Sequence, residues 1–233
     1  MPITREGQFL ITHDADQDNV PSLGIESSQL AACIAEAKAQ QYMRVFGSPC
    51  FGFKENDLDF LQELPSLSKI WFWDIHLQNI EGLYSLDKLK YFGVHDKRPP
   101  VDFARLPNLE TIVWVFNPKD CNIESLSALK TLHLWHYNPK AKSFDGLTLP
   151  SNLEKLEITW ANPANVESLP VMPNLRQIEF HRCRNLISLT ALNQVAPCLE
   201  EIIVTTSNRV LDSESLRNLP QLKTAVINGK RIK

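Results

Sequence analysis

The sequence predicts an α/β solenoid, a fold in which short repeats stack side by side and each adds one strand to a parallel sheet. Three observations predict it. A leucine-based phrase recurs eight times, its copies are almost evenly spaced, and three consecutive copies are followed by the same Asn-Pro pair. Even spacing of this kind indicates a repeat architecture rather than a globular domain.

The recurring phrase is Leu-x-x-apolar-x-apolar. Leu67, Ile70 and Phe72 form its first copy, and the apolar alternation predicts a strand with one buried face. Stacking such units buries all of their apolar rows in one continuous core. The first leucines of the eight copies lie 20 to 24 positions apart, at Leu67, Leu89, Leu109, Leu129, Leu153, Leu175, Leu199 and Leu222.

A second phrase, apolar-x-x-Leu-x-x-Leu, precedes most of these strands. One copy is formed by Ile80, Leu83 and Leu86. Its period of three suits a short 3₁₀ turn better than an α-helix, and units of this length leave little room for a long return helix. We therefore expect a convex side made of short 3₁₀ helices and turns.

Proline marks the points at which the chain leaves the sheet. Asn117-Pro118, Asn138-Pro139 and Asn162-Pro163 follow three consecutive strand phrases. Proline has no amide hydrogen to donate to a neighbouring strand, so each pair should lie beyond the end of its strand.

Residues 1–50 do not repeat, and we expect them to form an N-terminal helix-strand cap fused to the solenoid. Ser27 or Ser28 has a side-chain oxygen that can cap a helix running to about Gln41. Residues 42–46 are then predicted as a strand, and residues 8–12 as another. Residues 51–233 would hold about eight repeat units, and the chain is expected to be a single domain overall.

These phrases resemble the leucine-rich repeat family, especially its short-repeat members of the internalin and phosphatase-regulator type. The resemblance covers about residues 60 to 233, and it implies a leucine-rich-repeat horseshoe with a parallel concave β-sheet. The family places an Asn or Cys five positions after the second apolar residue of each phrase. Asn117 and Cys183 match that slot, whereas Tyr137, Ala161 and Ser207 depart from it.

In this geometry the residues between the buried positions face solvent on the concave side, where a partner protein would bind. Four of the five tryptophans fall outside the core positions, and only Trp114 takes one. Aromatic residues and arginine are enriched where proteins bind each other. The alternative is that these rings pack on one another or under the N-terminal segment. The predicted partner-binding residues are Trp71, Trp73, Tyr91, His95, Val113, Val115, Phe116, His133, Trp135, His136, Glu157, Trp160, Glu179, His181 and Arg182.

The predicted face becomes acidic toward the C-terminus. Glu157, Glu179 and Glu201 follow one another in successive units, in one column of the sheet or the next. Like charges on neighbouring strands repel each other. We therefore hypothesise that the partner brings Lys or Arg to this edge and apolar groups to the tryptophans.

Composition limits the classes of partner and location. The formal net charge of −3, without a long basic run, argues against a nucleic-acid partner. The sequence has no run of about 18 apolar residues, so we expect no membrane span. Five scattered cysteines favour free thiols in a reducing compartment, and hence a cytoplasmic location.

No sequence motif indicates catalysis or a cofactor. A phosphate-binding glycine loop is absent, so we predict no enzyme activity and no cofactor. An alternative is a metal site made by His133, His136 and Glu157, although zinc ligands usually recur at tighter spacing. The favoured function is a non-catalytic protein-binding module, in a narrower version an intracellular toxin-neutralising (immunity) protein. The other interpretation is a regulatory or targeting subunit of an enzyme.

Overall fold

The computed structural model describes residues 3–13, 20–95 and 97–233. The chain divides into two compact units, residues 1–101 and residues 102–233, and each is built mainly from short strands joined by turns. All eight strand phrases are confirmed: two lie on strands of the first unit and six on strands of the second. The apolar periodicity therefore predicted every repeat strand.

The described part of the first unit holds six strands. The first three are antiparallel, and the third to the sixth follow one another in parallel. The strands predicted at residues 8–12 and 42–46 are confirmed, with bounds shifted by one or two residues. The strands are Ile3–Glu6 (β1), Phe9–His13 (β2), Pro21–Gly24 (β3), Arg44–Gly47 (β4), Lys69–Phe72 (β5) and Tyr91–Val94 (β6).

The predicted helix of the N-terminal segment is present but begins later than expected. This helix, α1, spans Leu30–Ala39 and follows a 3₁₀ turn at Ser27–Gln29. The predicted serine cap is wrong, because the Ser27 hydroxyl instead accepts a hydrogen bond from the Lys54 amide (2.7 Å). The apolar face of the helix is buried, at Cys33, Ile34 and Ala37.

The described part of the second unit holds seven strands. The first six are parallel in chain order, and the last returns as an antiparallel neighbour of the sixth. One short helix, α2, spans Leu192–Val195. The strands are Thr111–Val115 (β7), Thr131–Trp135 (β8), Lys155–Thr159 (β9), Gln177–His181 (β10), Glu201–Thr205 (β11), Thr224–Ile227 (β12) and Lys230–Arg231 (β13).

Equivalent residues of successive repeats pair across the parallel ladders. Leu132 on β8 pairs with Leu156 on β9, which in turn pairs with Ile178 on β10. All three residues are buried. A slip of one residue would turn these apolar rows toward solvent, so burial of the rows fixes the register.

The connections between repeat strands are short, as the period of three predicts. No helix in the described ranges is long or apolar enough to cross a membrane. The 3₁₀ helices that precede repeat strands are Asp59–Glu63, Glu81–Ser85, Phe103–Arg105, Ile123–Ser125 and Ser213–Asn218.

The slot that the family gives to Asn or Cys is buried even where this chain departs from those residues. The Cys183 amide donates a hydrogen bond to the Ser207 hydroxyl (3.0 Å), which in turn donates to the Thr205 carbonyl (3.0 Å). Ser207 thus links neighbouring repeats in the way an asparagine side chain would. Asn117 matches the slot but is half-buried, and it accepts a hydrogen bond from the Lys119 amide (3.0 Å).

Candidate functional site

In each unit the strands carry their apolar rows on one face, and we call the opposite face the outer face. In the first unit, aromatic side chains cluster on the outer face and just beside it. Trp73 stacks on Phe46, with ring centroids 6.1 Å apart, and meets Phe51 edge-on at 5.8 Å. Trp71 lies 6.3 Å from Trp73 and 6.0 Å from Tyr91. These rings therefore pack on one another; Phe46 is buried, and the other four rings are half-buried.

His95 belongs to the same aromatic cluster but does not face solvent. Its ring lies edge-on to Trp71, with centroids 4.6 Å apart, and the residue is only 5% exposed. The prediction that His95 faces solvent is wrong, because Trp71 packs against it. Gly93 pairs with Trp71 across the ladder and makes room for the indole: a Cβ atom there would lie 2.4 Å from Trp71 Cε3.

Gly93→Ala should cost about 1–3 kcal/mol of folding free energy, the usual range for overpacking, because the added methyl group displaces the Trp71 ring. Urea unfolding followed by tryptophan fluorescence measures the loss. In a Trp71→Ala background the same change should cost far less, since the ring that the methyl group meets is gone. An equal cost in both backgrounds would show that this contact is not the reason.

The outer face of the second unit carries two columns of residues in register. Val113 in the first column is 3% exposed, so the prediction that it faces solvent is wrong. It is short and stands beside the longer side chain of His133. The first column is Val113, His133, Glu157 and Glu179, and the second is Val115, Trp135, Thr159 and His181.

Phe116, just beyond the end of β7, is half-buried among aromatic neighbours. Its ring centroid lies 5.2 Å from that of Trp114 and 4.7 Å from that of Tyr137. Trp114 is 3% exposed, which confirms its core position. The Trp114 indole nitrogen donates a hydrogen bond to Asp120 Oδ2 (2.7 Å).

Glu157 and His133 form a half-buried pair at the centre of the first column. The distance from His133 Nδ1 to Glu157 Oε2 is 2.7 Å, and the Thr159 hydroxyl donates to Glu157 Oε1 (3.1 Å). Burial alone would raise the pKa of Glu157. The hydrogen bonds from His133 and Thr159 and the nearby charge of His133 and His181 outweigh burial and lower this pKa to about 2.

Glu179 is surrounded by donors from this chain. Lys155 Nζ lies 2.7 Å from Oε1, and the side-chain nitrogen Nε2 of Gln177 donates a hydrogen bond to the same oxygen (2.9 Å). His181 Nε2 lies 2.8 Å from Oε2. Glu201 pairs in register with Gln177 and so stands in a neighbouring column. The chain itself therefore supplies the cation that the sequence hypothesis expected from a partner.

The metal trio predicted from the sequence is not brought together as predicted. Ligand atoms of Glu157, Glu179 and His181 lie within 4.8 Å of one another, and His136 is not part of that group. Both carboxylates and the imidazole already hold hydrogen bonds, including the 2.7 Å contact between His181 Nδ1 and Thr205 Oγ1. These side chains therefore hold two separate sets of hydrogen bonds, one around Glu157 and one around Glu179 and His181.

An exposed stack of three side chains follows the ends of β8, β9 and β10. The His136 ring stacks on Trp160, with centroids 4.9 Å apart and planes 6° apart, and Arg182 Cζ lies 5.4 Å from the Trp160 centroid. These three residues have φ values of 60°, 55° and 57°, in the left-handed region that favours glycine. Sequence reasoning missed this conformation, and its only signal is the shared position after each strand.

In structure, the chain is similar to an internalin (inlF) from Listeria monocytogenes, with a TM-score of 0.53 and 16% sequence identity. The match covers 88% of this chain and 57% of the internalin chain, so the chain spans a little over half the length of that protein. No protein-family model matches the sequence, and no curated protein is significantly similar to it in sequence. The chain thus has the leucine-rich-repeat fold that its strand phrases predict.

Proposed function

We propose that the chain is a non-catalytic protein-interaction module that binds a specific partner protein through its outer face. The observation that carries the proposal is the stack of His136, Trp160 and Arg182 in the second unit. Trp160 is 36% exposed, yet its ring is in contact with both neighbours. An exposed tryptophan with an arginine against its ring combines two residue types that are enriched at the hot spots of protein interfaces.

Trp160 has a location that folding alone does not favour. Its left-handed backbone belongs to the repeat, because His136, Arg182 and Thr206 have the same conformation at the equivalent position. A partly exposed indole, however, gains less from burial than a core residue does. Tryptophan and arginine dominate the binding energy of protein interfaces. Their pairing at this position therefore supports a role in binding.

The surroundings of Trp160 hold it in a fixed geometry. Trp135 meets Trp160 edge-on with centroids 5.6 Å apart, and the Trp160 amide donates a hydrogen bond to the His181 carbonyl (3.0 Å). Side chains that are ordered before binding lose less entropy when the partner arrives. In the first unit, Trp71, Trp73 and Tyr91 offer a second aromatic surface with the same property.

Trp160→Ala should weaken binding of the partner by about tenfold or more, as expected for an aromatic hot-spot residue, and leave the melting temperature nearly unchanged. The immobilised chain is used to capture the partner from cell extract, and binding isotherms with the purified partner measure the loss. Val171→Ala is the matched control, because Val171 is 63% exposed but lies in the segment that leads into β10, away from the loops that follow the strand ends. Unchanged affinity in both variants would reject the surface around Trp160 as the binding site.

Two narrower roles differ in what happens to the partner. A toxin-neutralising protein would inhibit the partner's activity at a stoichiometric ratio. A regulatory or targeting subunit would leave the partner active and change its substrate choice or location. Activity assays of the purified partner, with and without the chain, distinguish these two roles.

A further inference from the structure

We infer that the partner presents an acidic segment of its chain to the loops that follow the strands of the second unit. This inference rests on the proposed function and adds the chemistry of the partner to it. The loops after β8, β10 and β11 carry five exposed cations, which we call the basic edge. They are Lys140, Lys142, Arg182, Arg184 and Arg209.

The basic edge is not neutralised by the chain's own carboxylates. Among the residues that the structure describes, no salt bridge joins any of its five side chains to an acidic group. Four carboxylates lie in or just beyond the loops of this end, at Asp120, Asp145, Glu167 and Asp212. Three of them accept hydrogen bonds from uncharged donors: Asp120 from the Trp114 indole, Asp145 from the Ser143 hydroxyl (2.7 Å) and Asp212 from the Ser188 hydroxyl (2.7 Å). In the loops after β8 to β11, Asp145, Glu167 and Asp212 offset part of the positive charge, and the five cations still outnumber these three carboxylates.

The loops stack repeat upon repeat, so the cations form a strip rather than isolated points. The Ala164 amide donates to the Lys142 carbonyl (2.9 Å), which joins the loop after β8 to the loop after β9. The Ile187 amide donates to the Ala164 carbonyl (2.7 Å). The hydrogen bond from the Cys183 amide to the Ser207 hydroxyl continues the contact to the loop after β11.

At the opposite ends of the strands, in contrast, the cations form salt bridges with carboxylates of the chain. Arg176 Nη1 and Lys223 Nζ lie 2.6 Å and 2.7 Å from the two carboxylate oxygens of Glu200. Lys130 Nζ lies 3.6 Å from Glu154 Oε1. The formal net charge of −3 of the whole chain does not show this difference, within the described residues, between paired cations at one end of the strands and unpaired cations at the other. A surface strip of one sign attracts and orients a partner segment of the opposite sign.

The stack around Trp160 favours a protein segment over a nucleic acid. Single-stranded nucleic acids bind by stacking their bases on free aromatic faces, but His136 and Arg182 already stand against the Trp160 ring. The guanidinium of Arg182 is meanwhile held at the surface, where its planar fork of donors matches a carboxylate. Asp or Glu side chains of a partner are the groups that this arrangement fits.

The test uses the full chain and two probes with the same fluorescent label, a glutamate-rich peptide and an oligothymidine of equal charge. Fluorescence anisotropy gives the affinity for each. We expect the peptide to bind, with an affinity that falls as salt is raised from about 50 to about 300 mM. The basic-edge variant combines Lys142→Gln, Arg184→Gln and Arg209→Gln, which leaves the stack of Arg182 on Trp160 intact, and it should weaken peptide binding by about tenfold or more.

The matched control removes cations from the opposite strand ends: Lys130→Gln, Arg176→Gln and Lys223→Gln. This variant should bind the peptide within about twofold of wild type, because those cations are already paired. Circular dichroism checks that both variants are folded. The inference is overturned if the peptide does not bind, if both variants lose affinity equally, or if the oligothymidine binds more tightly than the peptide.

The partner captured in the Trp160 experiment separates failure of this inference from failure of the proposed function. If Trp160→Ala releases the partner and the basic-edge variant retains full affinity, the acidic-segment inference fails and the interaction module stands. If Trp160→Ala has no effect, the proposed surface itself fails. Loss of partner affinity in both variants, with salt-dependent peptide binding, supports both.

Discussion

Gly82→Ala is expected to lower the folding free energy of the first unit by about 3 kcal/mol or more, the upper range for overpacking. A Cβ atom at this position would lie 2.0 Å from the Leu58 carbonyl oxygen and 2.7 Å from the Asp59 Cα. These are backbone atoms of the preceding repeat, so no side-chain rotation can relieve the clash. The 3₁₀ helices at residues 59–63 and 81–85 would have to move apart.

Urea unfolding of wild type and Gly82→Ala, followed by circular dichroism, measures this loss of folding free energy. Gly7→Ala is the control in the same unit: Gly7 has a φ of 59° and no atom within 4 Å of a Cβ added there. It should lose only about 1 kcal/mol, through backbone strain. Equal losses in the two variants would mean that the close approach of successive turns does not limit stability.

The repeat could be predicted from the sequence because its cause is local and periodic. The alternation of Ile70 and Phe72, repeated in every unit, leaves one arrangement that buries all such pairs. The same reasoning identified Trp114 as a core residue, and its 3% exposure agrees. Short turns followed from the period of three, since leucines three apart cannot line one face of a long α-helix.

The details of the outer face could not be predicted, because they depend on which side chains meet across strands. His95 is buried through the room that Gly93 leaves for Trp71, a contact between residues on neighbouring strands. The positive φ of Trp160 could not be predicted, because the residue at this position is not a glycine. The net charge of the sequence also cannot reveal the basic edge, because it does not show which cations are paired. The pairing of Arg176 with Glu200, for example, depends on the register of the strands and not on composition.

Glu157→Gln should destabilise the fold by roughly 3 kcal/mol near neutral pH, with the difference disappearing in acid. The pKa of Glu157 is lowered from its ordinary value of 4.5 to about 2, and each unit corresponds to about 1.4 kcal/mol. A carboxyl group whose pKa is lower in the folded chain stabilises the fold when it is ionised. That contribution is complete above about pH 4.5 and is lost as the pH falls toward about 2.

Urea unfolding of wild type and Glu157→Gln at about pH 7, about pH 4 and about pH 2.5 measures the convergence of the two stabilities. Glu154→Gln is the matched control, because Glu154 and its partner Lys130 are more than half exposed. An exposed pair of this kind should contribute about 0.5 kcal/mol or less. A constant difference between wild type and Glu157→Gln across this range would contradict the lowered pKa. It would place the cost of the substitution in lost hydrogen-bond geometry with His133 and Thr159, because that geometry does not depend on the ionisation of Glu157.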